Sequence, residues 1–268
     1  MKVRSLALQT NLIFDRFSGE VIDRGEYLVV KTDSRPRYFW GNYLIMPEPP
    51  SDGDLTKWIE LFEKEICPKD ERGFIALTFD AIDGEKGVIQ PFVDYGFLVQ
   101  ESTVLATENV HQSSKHNPKL IVRPLSSDDD WDKYVDIHFQ PNWEYGNDHN
   151  QKQFLLKEVI EHRAMVDADV GIRLGIELDG KLIGETGIYW DKHIGRFNNV
   201  GTHRDFRRQG VCSSLIYEAA KFVFETKGIK TLVMEADFDS HAAKIYESVG
   251  FKPKEKLITL QWVDKSKF

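Results

Sequence analysis

The stretch VGTHRDFRRQGVCSSLIYEAAKFVF, Val200 to Phe224, constrains the fold more tightly than any other part of the chain. Its first residues are strand-like, Arg207-Arg208-Gln209-Gly210 interrupts them, and Val211, Leu215, Ala219 and Phe222 then recur at helical spacing. Lys227 and Gly228 close the helix, the glycine as the residue just past its end. A strand that feeds a helix through a glycine turn calls for a sheet with that helix packed on it. It also poses an electrostatic problem. Four backbone N–H groups at a helix start lack intrahelical partners and the dipole there is positive, so two arginines beside it are disfavoured. Solvation or pairing with Asp205 answers the problem. So does a bound anion, which glycine lets the backbone approach and arginine holds by charge-assisted bonds. A diphosphate fits the second answer.

The surroundings supply a seam and an order of elements. The polar segment HQSSKHNP, His111 to Pro118, ends in a proline that disfavours helix before it, and divides the chain into residues 1–117 and 118–268. Beyond it Lys119–Leu125 is strand-like, and Ser126 or Ser127 caps a helix whose first turn holds Asp128, Asp129 and Asp130. The aromatic, acidic loop QPNWEYGNDHN leads to a second helix around Gln151–Asp167. Ile172–Leu178 and Lys181–Trp190 form a hairpin about Asp179-Gly180, and Arg196–Thr202 follows a turn at Gly195. After the helix opened by Gly210 come the buried-type strand Thr231–Ala236, a short helix over Ser240–Val249, Gly250, and a final strand pair through LITLQWV. Residues 1–117 repeat the later half of that order faintly. Tyr27–Lys31 and Tyr38–Met46 are strand-like, Asp54–Ile66 is helical with Leu55, Trp58, Ile59 and Phe62 on one face, and Gly73–Phe79 is a strand. Tyr95-Gly96-Phe97 then echoes Val249-Gly250-Phe251, which reads as divergent duplication or as chance.

Composition removes several classes. The net charge is −8 and neither part is basic, which argues against a dedicated nucleic-acid binder. Cys67 and Cys212 are the two cysteines, too few for a disulfide framework and without metal-type spacing, which points to a reducing interior. MKVRSLALQTNLIF has a short apolar stretch broken by Gln9, Thr10 and Asn11 with no cleavage pattern after it, and no run reaches the ~18 apolar residues of a membrane span. The expectation is a cytoplasmic protein with no membrane partner. No GxGxxG, Walker loop, GxSxG or HExxH occurs and the eight histidines are scattered, so no metal site is expected.

Arg207-Arg208-Gln209-Gly210-Val211-Cys212 resembles the R/Q-x-x-G-x-G/A signature of the GCN5-related N-acetyltransferase (GNAT) family, and Val200-Gly201-Thr202 and Asp205-Phe206 resemble its lead-in. DSHAAKIYESVGF is similar to the family's N-x-x-A-x-x-x-Y-x-x-x-G-F, with Asp239, Ala242, Tyr246, Gly250 and Phe251 at the matching positions. Two positions depart. Cys212 takes the last small residue's place, and Asp239 replaces asparagine, keeping an acceptor and losing a donor. The resemblance covers Lys119 to the end and implies an α+β fold: a central mixed, mostly antiparallel twisted sheet flanked by helices over 118–268. Residues 1–117 are then a smaller α/β domain, a degenerate GNAT-like repeat. Acetyl-CoA is the implied co-substrate, with no metal. The resemblance implies that Val200, Gly201, Thr202, Arg207, Arg208, Gln209, Gly210, Val211, Cys212 and Ser213 bind this cofactor, its pyrophosphate at the strand-to-helix turn, and that Asp239 faces the CoA arm.

The resemblance further implies direct attack of a neutral amine on the thioester. The backbone of Arg196–Thr202 polarises the thioester oxygen and Tyr246 protonates the departing thiolate; a packed tyrosine with a satisfied hydroxyl is the plainer alternative. The strand before the turn reads Arg196-Phe197-Asn198-Asn199 and lacks the glutamate frequent there. Glu185 and Glu144 are therefore the candidate bases, each also explicable as solvated or ion-paired. Cys212 sits among features that lower a thiol pKa, but its motif position faces phosphate, so a nucleophilic role is not expected. The resemblance places acceptor entry at the loop Gln140–Asn150, where Trp143, Glu144, Tyr145 and Asp148 suit a cationic small-molecule amine, and a surface-packing loop is an equal alternative. In the first part PEPPSDGD places Glu48, Asp52 and Asp54 where the cradle would be, which predicts one acetyl-CoA site per chain. Residues 1–117 are left as scaffold, cleft wall or homodimer surface. The alternative to an acetyltransferase is a non-catalytic acyl-CoA-binding sensor or interaction module of the same fold.

Overall fold

A computed structural model describes residues 1–139, 149–237 and 240–267, with 149–151 described by backbone alone. The first elements in chain order are α1 (Leu6–Ser18), β1 (Glu20–Asp23), β2 (Leu28–Lys31), β3 (Tyr43–Met46), α2 (Asp54–Glu65), β4 (Phe74–Phe79), α3 (Gln90–Tyr95) and β5 (Leu98–Thr107). There follow β6 (Val122–Pro124), α4 (Asp128–His138), α5 (His149–Asp167), β7 (Gly171–Leu178), β8 (Lys181–Asp191) and β9 (Ile194–Thr202). The last are α6 (Val211–Thr226), β10 (Thr231–Asp237), α7 (His241–Glu247) and β11 (Lys252–Val263). The class is α+β, a mixed sheet flanked by helices. Two compact units form: Met1–Val104 with Glu235–Phe238 and Pro253–Phe268, and Leu105–Met234 with Asp239–Lys252.

In the first unit the strand order is β1-β2-β3-β4-β11-β5. β1, β2 and β3 form an antiparallel meander, whereas β3 and β4 are parallel, Leu44 opposite Leu77, with α2 as the crossover that parallel strands require. β11 runs antiparallel to β4, with Leu260 opposite Leu77, so the chain's last strand fills the place between β4 and β5. FIALTF on β4 is apolar on both faces because both are covered, and its six residues are buried. Trp58 and Phe62 of α2 supply the helix side of this core, Trp58 packing on Phe79 and Phe92 with ring centroids 6.3 and 5.3 Å apart.

Several features differ from the sequence expectation. The N-terminal apolar stretch is a helix, α1, because Ser5 accepts from the Leu8 amide at 3.4 Å while Ala7, Leu8, Leu12 and Ile13 turn to the core. The strand expected from Tyr38 begins only at Tyr43. Asn42 holds the preceding residues in a 3₁₀ turn by donating to the Arg35 and Tyr38 carbonyls and accepting from Thr32 N–H. The final strand pair is one long strand, β11.

In the second unit the order is β10-β9-β8-β7-β6. β6 to β9 are antiparallel neighbours, and β9 and β10 are parallel with α6 as crossover. Asp179 (φ 50°) and Gly180 (φ 78°) make the two-residue hairpin read from their sequence, Leu178 opposite Lys181. The next turn is Lys192-His193, with Lys192 at φ 54° and Asp191 opposite Ile194, and Gly195 lies inside β9. Ser127 caps α4 in a reciprocal box with Asp130. Asp130 also accepts from Arg123 at 2.6 Å, and this pairing holds its carboxyl well below the usual carboxylate range.

Candidate functional site

Between β9 and α6 the chain makes one 3₁₀ turn at Arg204–Phe206, and then passes through the left-handed region at Arg208 (φ 64°) and Gly210 (φ 80°). Gly210 caps α6 without a side chain, and the helix's first turn holds no acid. A Cβ on Gly210 would lie 2.2 Å from the Lys115 carbonyl oxygen, so glycine is required for close approach as well as for φ. The end of the polar seam is fastened here: Asn117 N–H donates to Ser214 Oγ at 2.8 Å and Ser213 Oγ to the Lys115 carbonyl at 3.4 Å. Val211 packs with Ile176, Ile183 and Leu215 in the core. Val211 and Ser213 therefore offer a ligand backbone rather than side chain. Arg207, Arg208 and Gln209 are exposed, the last donating to the Asp205 carbonyl at 3.1 Å.

Cys212 departs from what its neighbours suggest. Burial pushes the thiol up to about 12, and a Thr202 side-chain bond opposes this only in part. Burial thus works against the thiolate form that a nucleophilic role would need.

One strand away lies a buried polar cluster. Glu185 of β8 and Arg173 of β7 are both fully buried, Arg173 Nε standing 3.2 Å from Glu185 Oε2 as an ion pair without aligned hydrogen-bond geometry. Glu185 Oε1 pairs with Nε2 of His138, the last residue of α4. The Arg173 guanidinium lies 4.1 Å from the Tyr134 ring centroid and reaches His162 Nδ1 at 3.2 Å. Tyr134 accepts from Asn199 Nδ2 at 3.0 Å. Burial works against the guanidinium charge, yet Glu185, Tyr134 and Tyr189 outweigh it and hold Arg173 above its ordinary value. Burial also pushes Tyr134 and Tyr189 well above the usual phenol range, although Arg173 opposes the shift.

β9 meets this cluster at a bulge. Gly201 pairs with Glu185 and Asn198 with Gly187, so Asn199 and Val200 together oppose Thr186, with Asn199 at φ 52°. A Cβ on Gly201 would lie 3.1 Å from Glu185 Oε1 and 3.1 Å from His138 Cε1. The structure thus brings Gly201, Glu185 and His138 together at the strand end that leads into the turn. Tyr246 is on a separate element, α7, buried, its carbonyl accepting from the Val249 and Phe251 amides. Glu144 and Asp239 lie outside the described residues, as do Trp143, Tyr145 and Asp148.

Sequence reasoning missed His138, Arg173 and Tyr134. A signal for His138 exists: Trp131, Tyr134, Val135 and His138 recur at i, i+3, i+4 and i+7, so the histidine belongs to the inward face of α4. Arg173, inside the apolar alternation of GIRLGIEL, is the kind of charge that a covered strand admits only with a partner.

Residues 171–253 match the family described as acetyltransferase (GNAT) domain, a span that includes β7, the turn before α6 and Tyr246. The chain is similar in structure to a functionally unknown conserved protein from Staphylococcus epidermidis ATCC 12228, with 14% identity, 91% of this chain and 94% of that chain covered, and TM-score 0.72. It is similar to a GCN5-related N-acetyltransferase from Kribbella flavida, with 15% identity, coverage of 97% and 96%, and TM-score 0.66. A tandem GNAT protein from the clavulanic acid biosynthesis pathway matches with 12% identity, coverage of 89% and 82%, and TM-score 0.54. The fold is therefore that of GNAT proteins, and the N-terminal part is GNAT-like as well. Among the described residues no helix is long and apolar enough to cross a membrane.

Proposed function

We propose that this protein, which carries a GNAT acetyltransferase domain at residues 171–253, transfers the acetyl group of acetyl-CoA to a primary amine of a small molecule by direct attack. The observation that carries the reading is the turn before α6. An acid-free, side-chain-uncapped helix start, entered through left-handed Arg208 and Gly210 beside two exposed arginines, suits a diphosphate. Arg207, Arg208, Gln209 and the backbone from Gly210 to Ser213 hold that diphosphate, and Val200, Gly201 and Thr202 line the acyl end.

Bound acetyl-CoA supplies an activated acyl thioester. The chain's own residues do the rest. The bulge at Asn199-Val200 frees backbone groups of β9 from the ladder, and these polarise the thioester oxygen. Tyr246 donates its phenolic proton to the sulfur that leaves. Glu185 lies beside Gly201 and belongs to the proton-handling side of the site. We assign the activity to residues 118–268, with 1–117 as a second, GNAT-like domain that binds no acetyl-CoA.

Acetyl-CoA-dependent thiol release against a panel of small amines, protein N-termini and lysine peptides tests the reading, with acetyl-CoA affinity measured by calorimetry. Release with at least one small amine is expected. Tight acetyl-CoA binding without release from any acceptor would make the protein an acyl-CoA sensor instead, and release with proteins alone would overturn the small-molecule acceptor.

A further inference from the structure

We infer that His138 takes the proton from the incoming amine, and that Glu185 and Arg173 are positioning residues that hold its ring for that task. The inference rests on the acetyl-transfer reading above and adds to it a residue that the family signature does not contain. Three elements converge: the C-terminal residue of α4, the middle of β8 and the end of β9. With only a hydrogen on Gly201, β9 passes directly over the His138–Glu185 pair, since a Cβ there would stand 3.1–3.2 Å from Glu185 Oε1 and from His138 Cε1 and Nε2.

Glu185 is placed to orient, not to collect a proton itself. Its side chain is fully buried, one oxygen faces the Arg173 guanidinium and the other is taken by His138, whose side chain keeps 11% of its exposure. With both oxygens so occupied, neither is left facing the acceptor. The carboxylate charge is what an imidazole needs behind it. In the tautomer that donates from Nε2 to Glu185, the other ring nitrogen carries the lone pair, and once protonated the imidazolium has its charge offset by the carboxylate. A histidine backed by a buried carboxylate divides the work in this way in nucleophile triads also. Among the described residues, the charged and titratable groups around the ring include Glu185 on β8, Arg173 behind it on β7, and Tyr134 one turn back on α4, with ring centroids 4.7 Å apart. His162 of α5 lies beyond Arg173, and Glu158 acts on Arg173 and Tyr134 electrostatically.

In the step, an N–H bond of the acceptor ammonium breaks and its proton passes to His138. The freed nitrogen lone pair forms the C–N bond to the thioester carbonyl carbon as the C–S bond breaks and its electron pair leaves on sulfur. A second nitrogen proton reaches that sulfur through Tyr246, and His138 returns its own proton to water. One proton is released per acetyl group transferred.

His138→Gln is the deciding variant, because its amide can still donate to Glu185 but cannot take a proton. The expected result is a loss of about a hundredfold or more in kcat/KM with acetyl-CoA affinity and Tm unchanged. His138→Ala with added imidazole is the second arm, and partial recovery of turnover is expected, which a purely structural role would not show. Glu185→Gln is expected to lower kcat about tenfold with the KM for acetyl-CoA unchanged. Turnover of His138→Gln within threefold of the natural protein overturns the assignment, and an unchanged kcat in Glu185→Gln overturns the positioning role of Glu185. If the natural protein releases thiol with no amine, the acetyl-transfer reading fails and the role of His138 with it; if it turns over and His138→Gln does equally well, only the present inference fails.

Discussion

Two strand-to-helix turns, one in each unit, use the same backbone device with side chains of opposite charge. Gly53 before α2 (φ 85°) and Gly210 before α6 (φ 80°) are both left-handed caps, and each follows a strand that pairs in parallel with the strand after the helix. The likeness continues downstream. Gly96 (φ 106°) and Gly250 (φ 117°) each let a phenylalanine amide reach back five residues, Phe97 to the Phe92 carbonyl at 2.9 Å and Phe251 to the Tyr246 carbonyl at 3.2 Å. At the first turn, however, stand Glu48, Asp52 and Asp54 in place of arginines, and Phe92 occupies the place of Tyr246. The first turn is also closed by its own chain. Asp54 accepts from Ser51 N–H at 2.7 Å, Glu48 pairs with Arg4 at 3.2 Å, and the Pro50 carbonyl accepts from Val88 N–H at 2.7 Å. The backbone of the two turns is alike, while a handful of side chains sets the charge that a ligand would meet at each.

The widest test of that contrast is charge removal. Arg207→Ala with Arg208→Ala should weaken acetyl-CoA binding about a hundredfold by calorimetry. Glu48→Ala with Asp52→Ala should leave affinity and the stoichiometry of one per chain unchanged, and a second binding event in either protein would erase the distinction between the units. The glycines come next. Gly53→Ala has open space around its Cβ and should cost about 1 kcal/mol of left-handed strain, whereas Gly210→Ala also meets the Lys115 carbonyl and should cost at least ~2 kcal/mol. Thermal melts of the two variants check the order. Tyr246→Phe, which copies the first unit's residue, should slow turnover about tenfold with acetyl-CoA affinity intact. Smallest is the cysteine pair, Cys67 and Cys212, both raised by burial. Cys212 titrates near 12 when folded and near its ordinary value of about 9 when unfolded, so the unfolded chain binds fewer protons between these values. Its contribution to stability is full below pH ~9 and falls as pH rises through that window, and iodoacetamide at pH 8 should label it slowly.

What the sequence disclosed was local, and what it hid was not. The hairpin at Asp179-Gly180, the cap at Ser127 and the glycine before α6 each depend on a few adjacent residues whose conformational needs are fixed by chemistry. The Arg173–Glu185–His138 cluster joins residues 12 and 35 positions or more apart, and nothing in their spacing announces that β7, β8 and α4 will converge. Glu185 was readable as a candidate, but not that a guanidinium and an imidazole would share its two oxygens. α1 was obscured because Gln9, Thr10 and Asn11 break its apolar run, although Thr10 is buried with its hydroxyl donating to the Leu6 carbonyl at 2.8 Å.

The position of β11 has a consequence for synthesis. The first unit's sheet needs residues 252–263 between β4 and β5, and these are translated well after β5. At ~5–20 residues per second the ribosome takes roughly 10–30 s to travel from β5 to β11. Throughout that interval the nascent first unit carries two unpaired strand edges, the condition that invites association with other chains.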